Sequence, residues 1–220
     1  MGFETSGIAA DPQKALAVAA RAIAQGQLVV IPTDTVYGIA ADALDPAAVS
    51  GLLAAKGRGR DMPPPVMVAE PAMLESVAHR VAPAAQALAK AYWPGALTLV
   101  VRAHPSLNMD LGDRGATIAV RVPDHDFVRE LLRITGPLAV SSANVSGEPA
   151  AASVQAAIDQ LGDSVAVYLD GGSSTGSAVS TIVQILDDED AQVKILRQGA
   201  ISEADIFAVA LKAELAGGRG

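Results

Sequence analysis

The chain contains no cysteine. Disulfides, thiolate metal sites and a cysteine nucleophile are thereby excluded. Aromatic residues are scarce, at 3%, and charged residues reach only 18%, below the roughly one quarter found on average. Half of the residues are hydrophobic, so the core has to be built from Ala, Val, Leu and Ile. No apolar run approaches bilayer length, because charged residues, Pro or Gly interrupt each one. Residues 1–11 also lack the basic and apolar stretches of a secretion signal. A cytoplasmic protein is the expectation. Its 220 residues suffice to bury a sizeable core.

The net charge is −8. A protein that binds nucleic acid mainly by neutralising phosphates carries the opposite sign as a rule. Any RNA contact has to be local. A small anionic ligand stays compatible with this balance if basic residues gather in one cleft.

Hydrophobic spacing predicts a helix over 12–25, with Asp11 as N-cap, Pro12 in the first turn and Gly26 as its stop. The β-branched run LVVIPT then reads as a buried strand. Asp45-Pro46 opens a second helix that the Pro-rich GRGRDMPPP breaks. PVMVA reads as a strand, 71–91 as an Ala-rich helix with an interruption at Pro83, and LTLVVRA and TIAVRVP as strands. A helix over 125–135, the strand PLAVSS and a helix over 153–161 follow. VAVYLD, STIVQIL and VKILRQG are further strands, a last helix covers 202–215, and GGRG is a frayed tail. Helices and strands intermix without a regular βαβ repeat, and several strands adjoin near the C-terminus. That pattern indicates an α+β, mixed-sheet domain. No linker or internal repeat divides 1–220, so a single domain is expected, with its core over about 12–205.

Three clusters place polar residues at strand or helix ends. Pro32-Thr33-Asp34-Thr35-Val36-Tyr37-Gly38 follows an apolar strand, where open sheets place ligands; a backbone-bonded turn would use the same residues. Lys56-Gly57-Arg58-Gly59-Arg60 alternates cations with glycines that let backbone approach a ligand. Both cation types suit phosphate oxygens, although a solvated loop at a helix C-terminus would also favour them. Ser141-Ser142-Ala143-Asn144-Val145-Ser146-Gly147 could hold a nucleotide or cap the next helix. The loop GGSSTGS at 171–177 lacks the Gly-Lys-Ser/Thr ending of a P-loop and reads as a hairpin connection. His79, His104 and His125 have no metal-ligand spacing.

Taken in order, PTDTVYGIAADA (32–43), AAKGRGR (54–60), WPGALTLV (93–100), TIAVRVPDH (117–125), AVSSANVSGEPA (139–150), VSTIV (179–183) and ILRQGAIS (195–202) resemble the YrdC-like threonylcarbamoyl-AMP synthase family. The resemblance runs from about residue 25 to 205. It implies a twisted, open α/β fold with a mixed sheet flanked by helices, and the short, single-domain form. It implies a nucleotidyltransferase that joins L-threonine, bicarbonate or carbon dioxide, and ATP into threonylcarbamoyl-AMP and pyrophosphate. The product is the activated intermediate for modifying an adenosine in tRNA.

By the same analogy, Thr35, Arg121, main chain at Val140, and Ser180 hold threonine. Lys56, Arg58, Thr117, Ser142 and Arg197 line the ATP site, with Asn144 and main chain at Ala150 in support, and Lys56 and Arg58 are the catalytic pair. Mg2+ accompanies the triphosphate, held mainly by its own oxygens and water. The product passes to a tRNA threonylcarbamoyl transferase complex. Two departures stand out: Val68 occupies the position of a family histidine, and GRGRDMPPP is longer than the family's loop. The rival expectations are a carbamoyl-transfer domain of hydrogenase-maturation type and a non-catalytic RNA-binding module.

Overall fold

The computed structural model describes residues 2–113, 115–174, 178–186 and 192–217. Its strands are β1 (Glu4–Gly7), β2 (Val29–Ile31), β3 (Gly38–Asp42), β4 (Val66–Met67), β5 (Leu97–Arg102), β6 (Thr117–Arg121), β7 (Leu138–Ser142), β8 (Val167–Asp170), β9 (Thr181–Gln184) and β10 (Lys194–Arg197). Its α-helices are α1 (Pro12–Ala24), α2 (Pro46–Ala55), α3 (Leu74–Val77), α4 (Pro83–Tyr92), α5 (Asp126–Thr135), α6 (Val154–Leu161) and α7 (Glu203–Gly217).

Local chemistry sets the helix starts. The Asp11 carboxylate accepts from Lys14 N at 3.0 Å, and Asp45 accepts from Ala47 N at 2.8 Å. Each carboxylate satisfies an amide that the first turn leaves unpaired. Pro12 and Pro46 follow, where a missing N–H costs nothing. Ser153 caps α6 in the same way.

All ten strands join one mixed sheet in the order β1-β8-β2-β3-β7-β4-β6-β5-β9-β10. Pairing is parallel for β1–β8, β8–β2, β4–β6 and β5–β9, and antiparallel elsewhere. One face is covered throughout. At the β1 end, α2 and α6 bury Leu52, Ala157 and Leu161 against Val30, Ile39 and Tyr168. Towards the β10 end, Leu88 of α4 and Ile206 of α7 meet Leu97, Leu99, Val120 and Val183.

The other face is covered over half its width. Helices α1 and α5 pack Leu16, Ile23, Leu131 and Leu132 on Val29, Ile31, Ala40 and Leu138. Beyond β7 a cleft takes their place on that face, and no helical residue among those described lines it. Fold and site share this origin: the apolar helices run out before the sheet does.

Two strands differ from the sequence expectation. β3 follows the 32–38 turn directly, as the antiparallel partner of both β2 and β7; its GIAAD sequence is too uniformly buried to alternate. β1 is a short edge strand with three of its four residues exposed, so no apolar signal marks it. The expected 71–91 helix is a 3-10 turn over Pro71–Met73, then α3 and α4. Residues 78–82 part the two helices, and Ala78 bridges Ala103 instead. Residues 175–177 of GGSSTGS and 218–220 of GGRG lie outside the described residues.

Candidate functional site

The cleft has a volume of about 390 Å3 and a floor of alternating strand residues. Thr98 and Val100 of β5, Thr117, Ala119 and Arg121 of β6, and Val140 and Ser142 of β7 face it. Their sequence neighbours Leu99, Val101, Val120 and Ala139 point into the opposite core. This is the two-residue period of a strand whose faces have different tasks. The walls come from loops at Thr33, Thr35–Tyr37, Arg58, Pro63–Pro65, Leu111 and Val179–Ser180, and from Leu196 and Arg197 of β10.

Arg121 anchors one end. Its NH2 donates to the Asp34 carboxylate at 2.8 Å, NH1 to Thr35 Oγ1 at 3.0 Å, and Nε to Gly95 O at 3.0 Å. Thr35 is held in turn by Thr33, whose Oγ1 lies 3.0 Å from Thr35 Oγ1 and accepts from Thr35 N. Burial pulls the guanidinium below its usual pKa range, and Asp34 opposes that shift. The role of Gly95 follows from space, since a Cβ there would sit 2.6 Å from Tyr92 O. Asp34 lies in the first polar cluster, but its task of holding Arg121, like that of Gly95, is not visible in the sequence because the arginine is far away.

Arg58 and Arg197 form the cationic wall. Arg58 NH1 donates to Ser141 Oγ at 3.1 Å. Arg197 grips Ser180, with NH2 donating to its carbonyl at 2.8 Å and to its Oγ at 3.0 Å. Ser180 Oγ also lies 2.9 Å from Thr98 Oγ1. Burial lowers the pKa of Arg197, and the nearby charges of Arg121 and Arg58 lower it further. Three guanidiniums thus crowd one cleft in a chain of net charge −8. The charges of Arg58 and Arg121 act unfavourably on Arg197, so the arrangement favours an anion between them. Arg58 Nε and Asn144 Oδ1 are buried without a hydrogen-bond partner, a state that ordinary packing avoids.

The remaining expected residues lie off the cleft wall. Lys56 is 2% exposed and donates from Nζ to the carbonyls of Ser142 at 2.5 Å and Asn144 at 2.6 Å. Burial, then the Arg58 charge, draws its pKa from 10.5 down to about 8. Asn144 turns its Nδ2 to Val145 O and Glu148 O, and Ala150 does not line the cleft. Arg60, the third cation of the glycine-spaced run, leaves the cleft to pair with Asp110 at 2.7 Å and Asp113 at 3.5 Å. Val68 is fully buried in the core on the far face, while Met67 faces the cleft. A histidine at position 68 would therefore point away from the site.

Among the described residues, no three His, Cys, Asp or Glu side chains converge as a metal site. No helix among them is long and apolar enough to cross a membrane.

With that geometry in hand, the relatives are informative. The Sua5/YciO/YrdC family model, described as "Telomere recombination", matches residues 21–199. A Mycobacterium leprae protein provisionally named threonylcarbamoyl-AMP synthase is 52% identical over 203 residues, 91% of this chain and 91% of its own. The Bacillus subtilis threonylcarbamoyl-AMP synthase is 36% identical and covers 90% of this chain. P. abyssi Sua5 complexed with L-threonine matches with a TM-score of 0.86 at 31% identity, over 95% of this chain. The chain spans only 57% of the B. subtilis protein and 61% of the P. abyssi chain. Its fold and sequence agree on one assignment: the chain belongs to the Sua5/YciO/YrdC family.

Proposed function

We propose that this chain, as a single domain over 1–220, is an L-threonylcarbamoyladenylate synthase. In reaction terms it is a nucleotidyltransferase that uses L-threonine, bicarbonate or carbon dioxide, and ATP. The observation that carries the reading is the convergence of Arg58, Arg121 and Arg197 on one cleft.

Arg121 binds the threonine carboxylate. Three of its five N–H donors serve Asp34, Thr35 and Gly95, and the fork of the other two suits a carboxylate. Thr35, main chain at Val140, and Ser180 complete that pocket. The threonine amine loses a proton and takes up carbon dioxide to give a carbamate. A carbamate oxygen then attacks the α-phosphorus of ATP, and the bond to the β-phosphate oxygen breaks to release pyrophosphate. No protein nucleophile is needed; positioning and charge stabilisation supply the catalysis.

Arg58 and Arg197 face the phosphates, and Thr117 and Ser142 line the nucleotide side. The unpartnered Arg58 Nε fits this role, since a phosphate oxygen would satisfy it. Asn144 and Ala150 support the nucleotide side through the loop that carries them. Mg2+ would neutralise triphosphate charge when bound; no three His, Cys, Asp or Glu side chains among the described residues would hold it, so its ligands would come mainly from phosphate oxygens and water. The product leaves for a tRNA threonylcarbamoyl transferase complex in the cytoplasm, with any RNA contact local and weak.

Pyrophosphate release from ATP tests the reading. It should require threonine and bicarbonate together. ATP turnover that is absent, or indifferent to threonine, overturns it in favour of a binding module.

A further inference from the structure

Lys56 opens the glycine-spaced cationic run, yet its ammonium faces inward. Nζ donates to Ser142 O at 2.5 Å and Asn144 O at 2.6 Å, and the residue is almost wholly buried. Its own carbonyl accepts from Ser146 N at 2.8 Å. One residue therefore grips the 142–146 segment at three main-chain points. Ser142 O accepts from Asn144 N as well, at 2.9 Å, so the ammonium sits where the carbonyls of a tight turn converge. Two parallel carbonyl dipoles repel each other unless a cation lies between them, and bonds to a charged donor are about twice as strong as neutral ones. The segment so held carries Ser142 on the cleft floor.

We propose that Lys56 is a positioning residue: its ammonium is a built-in cation that shapes the Ser142–Ser146 loop, and it makes no contact with the nucleotide. This rests on the reading of the cleft as a nucleotide site. Arg58, two residues on, is the phosphate-facing member of the run, and Lys56 holds the segment that begins next to Ser141, the residue Arg58 contacts. The alternating order of the run follows: Lys56 ends α2 facing the interior, and the turn through Gly57 brings Arg58 to the cleft.

The test begins with protein free of any nucleotide, which separates it from the catalytic assay. Through-hydrogen-bond NMR couplings from Lys56 Nζ to the Ser142 and Asn144 carbonyl carbons should be present, and should persist when ATP is added to saturation. Loss of either coupling on ATP addition, with a new coupling to phosphorus, overturns the proposal. In Lys56→Met, amides of 142–146 should exchange with solvent at least tenfold faster, while α4 and α7 stay unchanged. Unchanged exchange in that loop also overturns it. If Lys56→Met does not fold, the couplings in the unaltered protein decide. Pyrophosphate release in the unaltered protein is scored apart, so failure of the functional reading and failure of this role remain distinguishable.

Discussion

The Arg121 guanidinium and the Asp34 carboxylate form an ion pair 2.8 Å apart, with side chains only 6% and 14% exposed. A buried pair of this kind contributes little net stability, but breaking it leaves an uncompensated charge. Asp34→Asn should therefore cost about 3 kcal/mol, read from denaturant melts. A loss under 1 kcal/mol would show that the Arg121 charge is solvated rather than held by Asp34.

Arg121→Ala separates the two substrates. It should raise the threonine KM far more than the ATP KM, because the guanidinium donates to Thr35 Oγ1 at 3.0 Å in the proposed threonine pocket. Equal effects on both would remove Arg121 from the threonine pocket.

The reverse bias is expected for Arg58→Ala. Loss of a charged hydrogen bond to phosphate costs about 1.5–3 kcal/mol, a tenfold to hundredfold weaker apparent ATP affinity. A normal ATP affinity would take Arg58 off the phosphates.

Lys56 makes stability depend on pH in a defined window. Its pKa falls from 10.5 to about 8 on folding, so between those values the unfolded chain holds a proton that the folded protein has released. The state with more bound protons loses ground as pH rises. Wild type should therefore gain stability over Lys56→Met between pH 8 and 10.5, while below pH 8 the gap stays constant. Melts at pH 7, 9 and 10 check the sign; a gap that moves the other way refutes the shift.

Gly199 tests the wall that carries Ser180 and Arg197. A Cβ there would lie 2.3 Å from Val179 O and 2.5 Å from Thr181 N, so the backbone has to move. Gly199→Ala should destabilise the protein by roughly 1–3 kcal/mol and weaken ATP use with it. An unchanged melt and unchanged kinetics would show that this strand junction yields freely.

What the sequence makes legible here is what neighbours decide. Asp11 and Asp45 cap helices three residues or fewer away, so α1 and α2 are readable from composition and spacing. β3 is not, because Gly38 to Ala41 are buried on both faces and show no alternation, so they become a strand only once β2 and β7 flank them. The site divides the same way. Thr35, Arg58, Arg121, Ser142 and Ser180 are polar residues whose motif order marks them. The task of each cation is set by partners far off in sequence: Asp34 for Arg121, the 142–144 carbonyls for Lys56, and Asp110 for Arg60. A run of Lys and Arg with glycines looks uniform until those partners sort it.

The floor of the cleft has a consequence for how this family can vary. In β6, Thr117, Ala119 and Arg121 line the cleft, while Ile118 and Val120 belong to the core cluster. Inserting or deleting one residue within that strand would exchange the two sets at once, sending a guanidinium into the apolar core and aliphatic side chains into the cleft. The loop from Gly59 to Pro63 faces no such exchange. Length variation is therefore expected to collect in the walls, where it alters the shape of the mouth, and to be purged from the floor.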